Sequence, residues 1–201
     1  MTPSASWKQQ AAAIILATNP WTWLVLLFGA QAIGSLIITH LFRIDFSETR
    51  TAIFLLASGA LLSSLLRWRD PSGRMYPQKS ILLAVIYALF IFSLSSESLT
   101  DACPPFGTKI FHPLEYMTFG ILLCCAWSPV RERKGTPVFL AGVFLTGVLY
   151  GMSDEFHQSF VPFRTPAIID VSWDTLGLLL GSAAFLAAGH IRERFDSFLA
   201  S

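Results

Sequence analysis

Residues 137–158 read PVFLAGVFLTGVLYGMSDEFHQ. This stretch carries no charged residue up to Tyr150, and its last residues then include Asp154, Glu155 and His157. A helix of about 20 apolar residues is long enough to cross the hydrocarbon core of a membrane. Ionisable groups in such a helix are costly unless they face water or a partner. The stretch therefore predicts a membrane-spanning helix with a polar cluster at one end.

The composition of the whole chain agrees with a membrane protein. Of 201 residues, 53% are hydrophobic and only 13% are charged, which is about half the charged share of a typical soluble domain. The net charge of +1 provides no basic surface for phosphates, so nucleic-acid binding is excluded. The three cysteines form no C-x-x-C pair, and we assign them no disulfide and no zinc site.

We expect an all-α, polytopic membrane bundle of about six transmembrane helices. The second predicted span is the weakest, because it is short and contains serines. Residues 1–19 are expected to form an interfacial or re-entrant helix, with a signal peptide as the less favoured alternative. The predicted spans are Trp21–Phe42, Thr51–Leu66, Ser80–Ser96, Phe111–Ser128, Pro137–Phe156 and Ile168–Gly189.

Lysine and arginine predict the orientation, since cytoplasmic loops hold an excess of them. Most lie in the amino-terminal segment, the second and fourth loops and the tail, so both termini are predicted to be cytoplasmic. The basic residues predicted outside are Arg43, Arg50, Lys109 and Arg164. Acidic residues show the opposite distribution, and this excess at the outer ends indicates a functional site on the extracytoplasmic side of the cytoplasmic membrane.

Polar residues in the fourth and fifth spans share helical faces at the outer boundary. His112, Glu115 and Tyr116 are spaced i, i+3 and i+4, which places them on one face. Tyr150, Asp154 and His157 form a similar stripe, and the adjoining stripe of the same helix carries Glu155 and Gln158.

The fifth loop and the sixth span add further polar groups. Arg164 is expected either to bind a ligand phosphate or to neutralise the acidic cluster. Asp170 is suited to capping the sixth helix, whereas Asp174 lies one turn deeper. Gly177 and Gly181 continue the aspartate stripe as a close-packing face. Because three helices bring such groups to the same side, we expect one shared cavity.

These residues resemble the VanZ-like family of small membrane proteins, over Ser80 to Gly189. The matching motifs are His112-x-x-Glu115-Tyr116 with Gly120, Tyr150-Gly151-x-Ser153-Asp154-Glu155-x-His157-Gln158-x-Phe160-Val161-Pro162-x-Arg164, and Asp170-x-x-x-Asp174-x-x-Gly177-x-x-x-Gly181. Two positions depart mildly: Phe163 stands where the family usually has glycine, and Asp174 where asparagine is also common.

The family's founding member is associated with teicoplanin resistance, so the resemblance implies a cell-envelope protein but no settled reaction. It also implies a four-helix core. The expected domains are an extension with two transmembrane helices (residues 1–78), the VanZ-like core (79–191) and a cytoplasmic tail (192–201).

The residues predict three sets of roles. A divalent metal ion is possible but not required, since a histidine beside a carboxylate also serves as a general base. Catalytic candidates are His112, Glu115, Asp154, Glu155 and His157. Substrate-binding candidates are Tyr116, Tyr150, Gln158 and Arg164. Metal-ligand candidates are His112, Asp154, His157, Asp170 and Asp174.

Three functions stay open at this point. The first is an intramembrane hydrolase or transferase that acts on a lipid-linked phosphate or another anionic lipid. The second is a protein that binds or transports a lipid, a glycopeptide or a proton through the same charged cavity. The third is a purely structural role for the buried polar groups. The expected partners are membrane lipids and either a lipid-linked envelope precursor or a glycopeptide.

Overall fold

A computed structural model describes residues 19–70, 76–97 and 111–199 of the protein. These residues form five α-helices and no strand. The helices are α1 (Pro20–Leu41), α2 (Phe46–Arg69), α3 (Pro77–Ser95), α4 (Phe111–Gln158) and α5 (Ile168–Leu199). Each of the five is long and apolar enough to cross a membrane. The predicted all-α membrane architecture is therefore confirmed, whereas the helix expected in residues 1–19 falls almost entirely outside the described residues.

Local sequence signals set the beginnings of the helices. The side chain of Asn19 accepts a hydrogen bond from the Trp21 N–H at 2.9 Å, and Pro20 occupies the first turn of α1. Asp45 caps α2 by accepting from the Ser47 N–H at 2.8 Å, and this bond lowers the pKa of the Asp45 carboxyl. Helix α2 is 24 residues long, so the weakest predicted span has sufficient length to cross.

The fourth and fifth predicted spans lie within the single element α4. This 48-residue element has a non-helical backbone at Gly135, with φ 82° and ψ 171°, a conformation that glycine adopts readily. In a straight helix, Tyr116 and Tyr150 would lie about 50 Å apart. Their ring centroids are 6.4 Å apart, so residues 111–134 and 136–158 lie side by side.

Small residues allow the second half of the chain to pack closely. A Cβ on Gly177 would lie 2.6 Å from the Pro113 carbonyl oxygen, and one on Gly181 would collide with the Met117 carbonyl oxygen. Helix α5 therefore packs directly against the backbone of α4, which agrees with the predicted close-packing role of these glycines.

A hydrogen-bonded cluster joins the first helix to the rest of the bundle. The Tyr87 hydroxyl of α3 donates to Gln31 of α1 at 2.8 Å, and the Gln31 amide donates to Thr118 of α4 at 2.6 Å. Around it, Phe28 and Phe119 pack against the fully buried Tyr87. Helix α1 is thereby held against the helices that carry the predicted site.

Four helix ends meet at one end of the bundle, which we call the site end. They are the last turn of α3, the first and last turns of α4 and the first turn of α5. Hydrogen bonds connect all four ends. Three of the bonds join side chains, and the fourth runs from the Ala167 N–H, just before α5, to the Glu155 carboxylate. At the opposite end, Asn19 donates to the Asp70 carbonyl at 3.4 Å, and Lys79 lies 3.7 Å from the Asp70 carboxylate.

Candidate functional site

His112 and Asp174 form a buried pair between the first turn of α4 and the second turn of α5. Nδ1 of His112 lies 2.8 Å from Oδ1 of Asp174, and the two side chains are only 10% and 1% exposed. Because a carboxylate oxygen accepts hydrogen bonds, Nδ1 carries the proton and donates. In the neutral imidazole, the second nitrogen, Nε2, carries no proton and can act as a metal ligand or a proton acceptor. A carboxylate that fixes an imidazole in this way is a recurring feature of metal sites.

Glu155 and Asp170 complete a compact group with His112. Each of the three buried residues offers one ligand atom, and these atoms all lie within 4.8 Å of one another. Oε2 of Glu155 accepts a hydrogen bond from the Ala167 N–H at 2.8 Å, while its Oε1 is buried without a protein partner. We call His112, Glu155 and Asp170 the triad. Its chemistry is that of one imidazole and two carboxylates, which suits a divalent ion.

A second polar group, on the α3 side, contains Asp154. Its Oδ2 accepts from the Ser95 hydroxyl at 2.7 Å and from the Gln158 amide at 3.0 Å. Nearby, Ser96 Oγ lies 3.0 Å from Nε2 of His157. Because the Ser96 hydroxyl donates to the Phe92 carbonyl, the His157 N–H donates to Ser96. The His157 ring also packs on the Phe92 ring, with 4.3 Å between their centroids.

Three buried oxygens at the site end have no protein partner. Tyr116 is fully buried and its hydroxyl has no protein partner, as is also true of Oδ1 of Asp154 and Oδ2 of Asp174. A Cβ on Gly151 would lie 3.0 Å from that Asp174 oxygen and 3.4 Å from the Tyr116 hydroxyl. Glycine at this position thus lets the Asp174 carboxylate and the Tyr116 hydroxyl lie close to the α4 backbone. Buried polar atoms without a protein partner are typical of a site that holds water or a ligand.

Arg164 and Tyr150 contact backbone carbonyls of α3. The Arg164 guanidinium donates to the carbonyls of Leu94 and Glu97, both at 3.0 Å, and so caps the carboxyl end of α3. The Tyr150 hydroxyl donates to the Ala88 carbonyl. Burial raises the pKa of the adjacent Glu97 carboxyl, and the Glu48 carboxylate of α2 raises it further.

The predicted site residues do not all lie in one group. His112 and Asp170 join Glu155 in the triad, while Asp174 contacts Nδ1 of His112. Asp154 and His157, which were also predicted as metal ligands, instead contact the serines of α3. Glu115 is half-buried and interacts electrostatically with His112 and Asp154.

Sequence reasoning missed the contribution of α3. Ser95 and Ser96 hold Asp154 and His157, and neither serine was predicted as a site residue. Their signal is the run Ser95-Ser96-Glu97, which ends an otherwise apolar span. Such a run is weak evidence by itself, because serines at the end of a helix are common.

Residues 92–189 match the model of the VanZ/LLP1 family. The matched segment belongs to the VanZ-like family. The VanZ-like segment begins within α3, just before Ser95, and ends within α5. It contains the triad, Asp154 with its partners, Asp174 and Arg164, whereas α1 and α2 lie outside it. No curated protein and no solved structure matches the chain. The predicted VanZ-like family is thereby confirmed, together with the predicted integral membrane character of the protein.

Proposed function

We propose that this VanZ-like membrane protein is a metal-dependent enzyme that acts on a phosphorylated or otherwise anionic lipid-linked substrate. The observation that carries the proposal is the convergence of His112, Glu155 and Asp170, whose ligand atoms lie within 4.8 Å of one another in a buried position. The association of the family's founding member with teicoplanin resistance extends the proposal to an envelope precursor as substrate.

In this proposal α4 crosses the membrane twice, and the chain crosses six times. Helix α3, the two halves of α4 and helix α5 form a four-helix core in residues 79–191. Residues 1–78 add two crossings, and residues 192–201 form a cytoplasmic tail. The support is the contact between the two halves of α4 across Gly135.

The proposed orientation places both termini in the cytoplasm and the triad on the extracytoplasmic side of the cytoplasmic membrane. The support is the distribution of basic residues, since cytoplasmic loops are enriched in them. Among the described residues before the last turns of α5, more lysines and arginines lie at the opposite end of the bundle than at the site end. That end carries Arg67, Arg69, Lys79, Arg131, Arg133 and Lys134, and the site end carries Arg43, Arg50 and Arg164.

The triad fits a borderline divalent ion such as Zn²⁺ or Mn²⁺, because it combines one imidazole with two carboxylates. When bound, the ion would polarise a phosphoryl oxygen and activate a water molecule. Because Asp174 holds Nδ1 of His112, Nε2 is the nitrogen that would bind the ion. Ser95 and Gln158 hold one oxygen of Asp154, which leaves the other oxygen to accept a proton from the attacking water or hydroxyl.

Because the site carries an excess of negative charge, binding of an anionic substrate depends on the ion. Five carboxylates share the site with two imidazoles, and the guanidinium of Arg164 is bonded to carbonyls. An anionic substrate would be repelled by this excess of negative charge. A divalent ion reduces the repulsion and offers a direct ligand position to the anion, so the proposal requires the metal and the anionic substrate together. The carboxylates are Glu115, Asp154, Glu155, Asp170 and Asp174, and the imidazoles are those of His112 and His157.

The test is phosphate release from an isoprenoid phosphate and from phosphatidic acid by the full chain in vesicles with Mn²⁺ or Zn²⁺. We expect Asp154→Asn and Asp170→Asn to lower the rate about 100-fold, and Glu193→Gln, at the opposite end, to leave it unchanged. Melting temperatures of all variants control for folding. Equal rates in all variants, or no release with either ion, would contradict the proposal.

A second function is favoured by the same charge excess if the site holds no ion. Buried carboxylates beside the Tyr116 hydroxyl suit a cationic group, such as the amine of a lipid head group or a glycopeptide. The protein would then bind or transport its ligand without chemistry. Saturable binding of an amine-bearing lipid that persists with a chelator and is lost in Asp174→Asn supports this alternative, whereas binding that requires Mn²⁺ excludes it.

A further inference from the structure

A stripe of large apolar residues runs along the outer face of α4. Leu145, Leu149, Met152 and Phe156 are all exposed, and their spacing of four, three and four residues places them on one side of the helix. On a helix that crosses a membrane, such a stripe faces lipid.

The stripe continues past the carboxyl end of α4 into the following loop. Phe160 lies beyond the last helical residue, and its ring packs edge-on against Phe156 at 5.1 Å between centroids. Phe163 and Ile168 are 85% and 90% exposed. The loop between α4 and α5, together with the first residue of α5, thus presents three large apolar side chains that have little cover in the described structure.

The backbone of Phe163 has a positive φ of 65°. This left-handed conformation is unfavourable for a residue with a bulky side chain, and glycine adopts it without strain. A phenylalanine here implies a gain outside the backbone that offsets the strain.

The loop is fastened to the site at two points. Arg164 donates to the carbonyls of Glu97 and Leu94 at 3.0 Å, and the Ala167 N–H donates to Glu155 of the triad at 2.8 Å. Because of these bonds, the depth of the loop in the membrane fixes the depth of the triad.

We propose that Phe160, Phe163 and Ile168 insert into the bilayer at the boundary between head groups and acyl chains. The occupant of this apolar surface is the lipid of the same leaflet, because the surface is continuous with the lipid-facing stripe of α4. Aromatic residues are favoured at this depth. The triad then lies near lipid phosphates, and a lipid-linked substrate reaches it sideways from the bilayer. The insertion itself does not depend on the proposed reaction.

The experiment is site-directed spin labelling of the full chain in vesicles of phosphatidylcholine and phosphatidylglycerol. Labels at Phe160→Cys, Phe163→Cys and Ile168→Cys are compared with Thr165→Cys, an exposed polar position in the same loop. Leu149→Cys and Arg133→Cys give the hydrocarbon and aqueous references. The background carries Cys103→Ser, Cys124→Ala and Cys125→Ala.

Power saturation with oxygen and with a water-soluble nickel chelate reports the depth of each label. We expect the oxygen-to-nickel accessibility ratio at positions 160, 163 and 168 to exceed that at Thr165→Cys about fivefold. Ratios equal to the aqueous reference would show a solvated loop, and low accessibility to both reagents would show that protein covers it. Either result overturns the inference. If Phe163→Cys does not fold, the other two positions decide.

Discussion

Within the described ranges, two histidines each pair with a carboxylate, and the two pairs differ in burial. At the site end, His112 and Asp174 lie 2.8 Å apart with side chains 10% and 1% exposed. At the far end of α5, His190 and Glu193 lie 3.8 Å apart with side chains 72% and 69% exposed. The first pair joins two helices, whereas the second joins neighbouring turns of one helix.

The difference shows what burial adds to the same chemical groups. In water, a solvated pair of charges gains little from its interaction. In a buried position, removal of one partner leaves the other without solvation. We therefore expect the two ends to respond differently to matched substitutions.

The largest effect is expected for Asp174→Ala, compared with Glu193→Ala. Loss of Asp174 leaves the buried His112 N–H without an acceptor and should lower the free energy of unfolding by about 3 kcal/mol. Loss of the exposed Glu193 should cost less than about 0.5 kcal/mol. Denaturant titration of both variants in detergent, followed by circular dichroism, measures the difference. Similar losses in the two variants would show that the His112 pair is solvated.

Two glycines of α5 extend the comparison from charge to packing. A Cβ on Gly181 would collide with the Met117 carbonyl oxygen, whereas one on Gly189 has its nearest neighbour at 3.9 Å. Gly181→Ala should therefore destabilise the bundle by about 2 kcal/mol, and Gly189→Ala should stay within about 0.5 kcal/mol of the parent. The same titration reports both values. A neutral Gly181→Ala variant would mean that α4 and α5 are farther apart.

A smaller effect is expected in the cluster that joins α1 to the VanZ-like segment. Tyr87→Phe removes the hydroxyl that donates to Gln31 and should cost about 1 kcal/mol, in the upper range for such bonds in membranes. Ser64→Ala is the control, because the exposed Ser64 bonds only the Ala60 carbonyl of its own helix. If the two variants are equally stable, the cluster contributes nothing to the attachment of α1.

The smallest effect concerns the exposed cap of α2 and appears only in acid. The hydrogen bond from Ser47 lowers the pKa of Asp45, so its stabilisation is present above the unfolded pKa and is lost as the pH falls through the folded pKa. Asp45→Asn also caps a helix but carries no charge. The melting temperatures of the two proteins should agree at neutral pH. At about pH 3, the melting temperature of the parent should have fallen further than that of Asp45→Asn. An equal loss would exclude the cap as a pH-dependent contribution.

The sequence predicted the helices and the meeting of their polar ends, because both depend on local patterns. A run of apolar residues indicates a span by itself, and the alternating crossings expected of successive spans predict that the ends of α4 and α5 meet. The partners of each side chain were not predictable in the same way. Asp154 and Glu155 are adjacent and point about 100° apart, so the packing of α4 decides which of them faces His112.

Arg164 illustrates the same limit. Its charge predicted a ligand anion or an acidic cluster as partner, which stays a prediction, whereas its hydrogen bonds to the carbonyls of Leu94 and Glu97 were not foreseen. Carbonyls at a helix end are present in every sequence and leave no signal of their own. Ser95 and Ser96 were missed because their contacts with Asp154 and His157 depend on the rotation of α3 against α4, which the sequence does not indicate.

The most direct test of the central claim is the zinc content of the purified full chain after equilibration and removal of free ion. The account predicts one Zn²⁺ per chain in the parent and in the double variant His190→Ala/Glu193→Ala. It predicts loss of the ion in the double variant Glu155→Gln/Asp170→Asn, with the melting temperature recorded as evidence of folding. Equal zinc content in the folded triad variant and the parent would contradict the account.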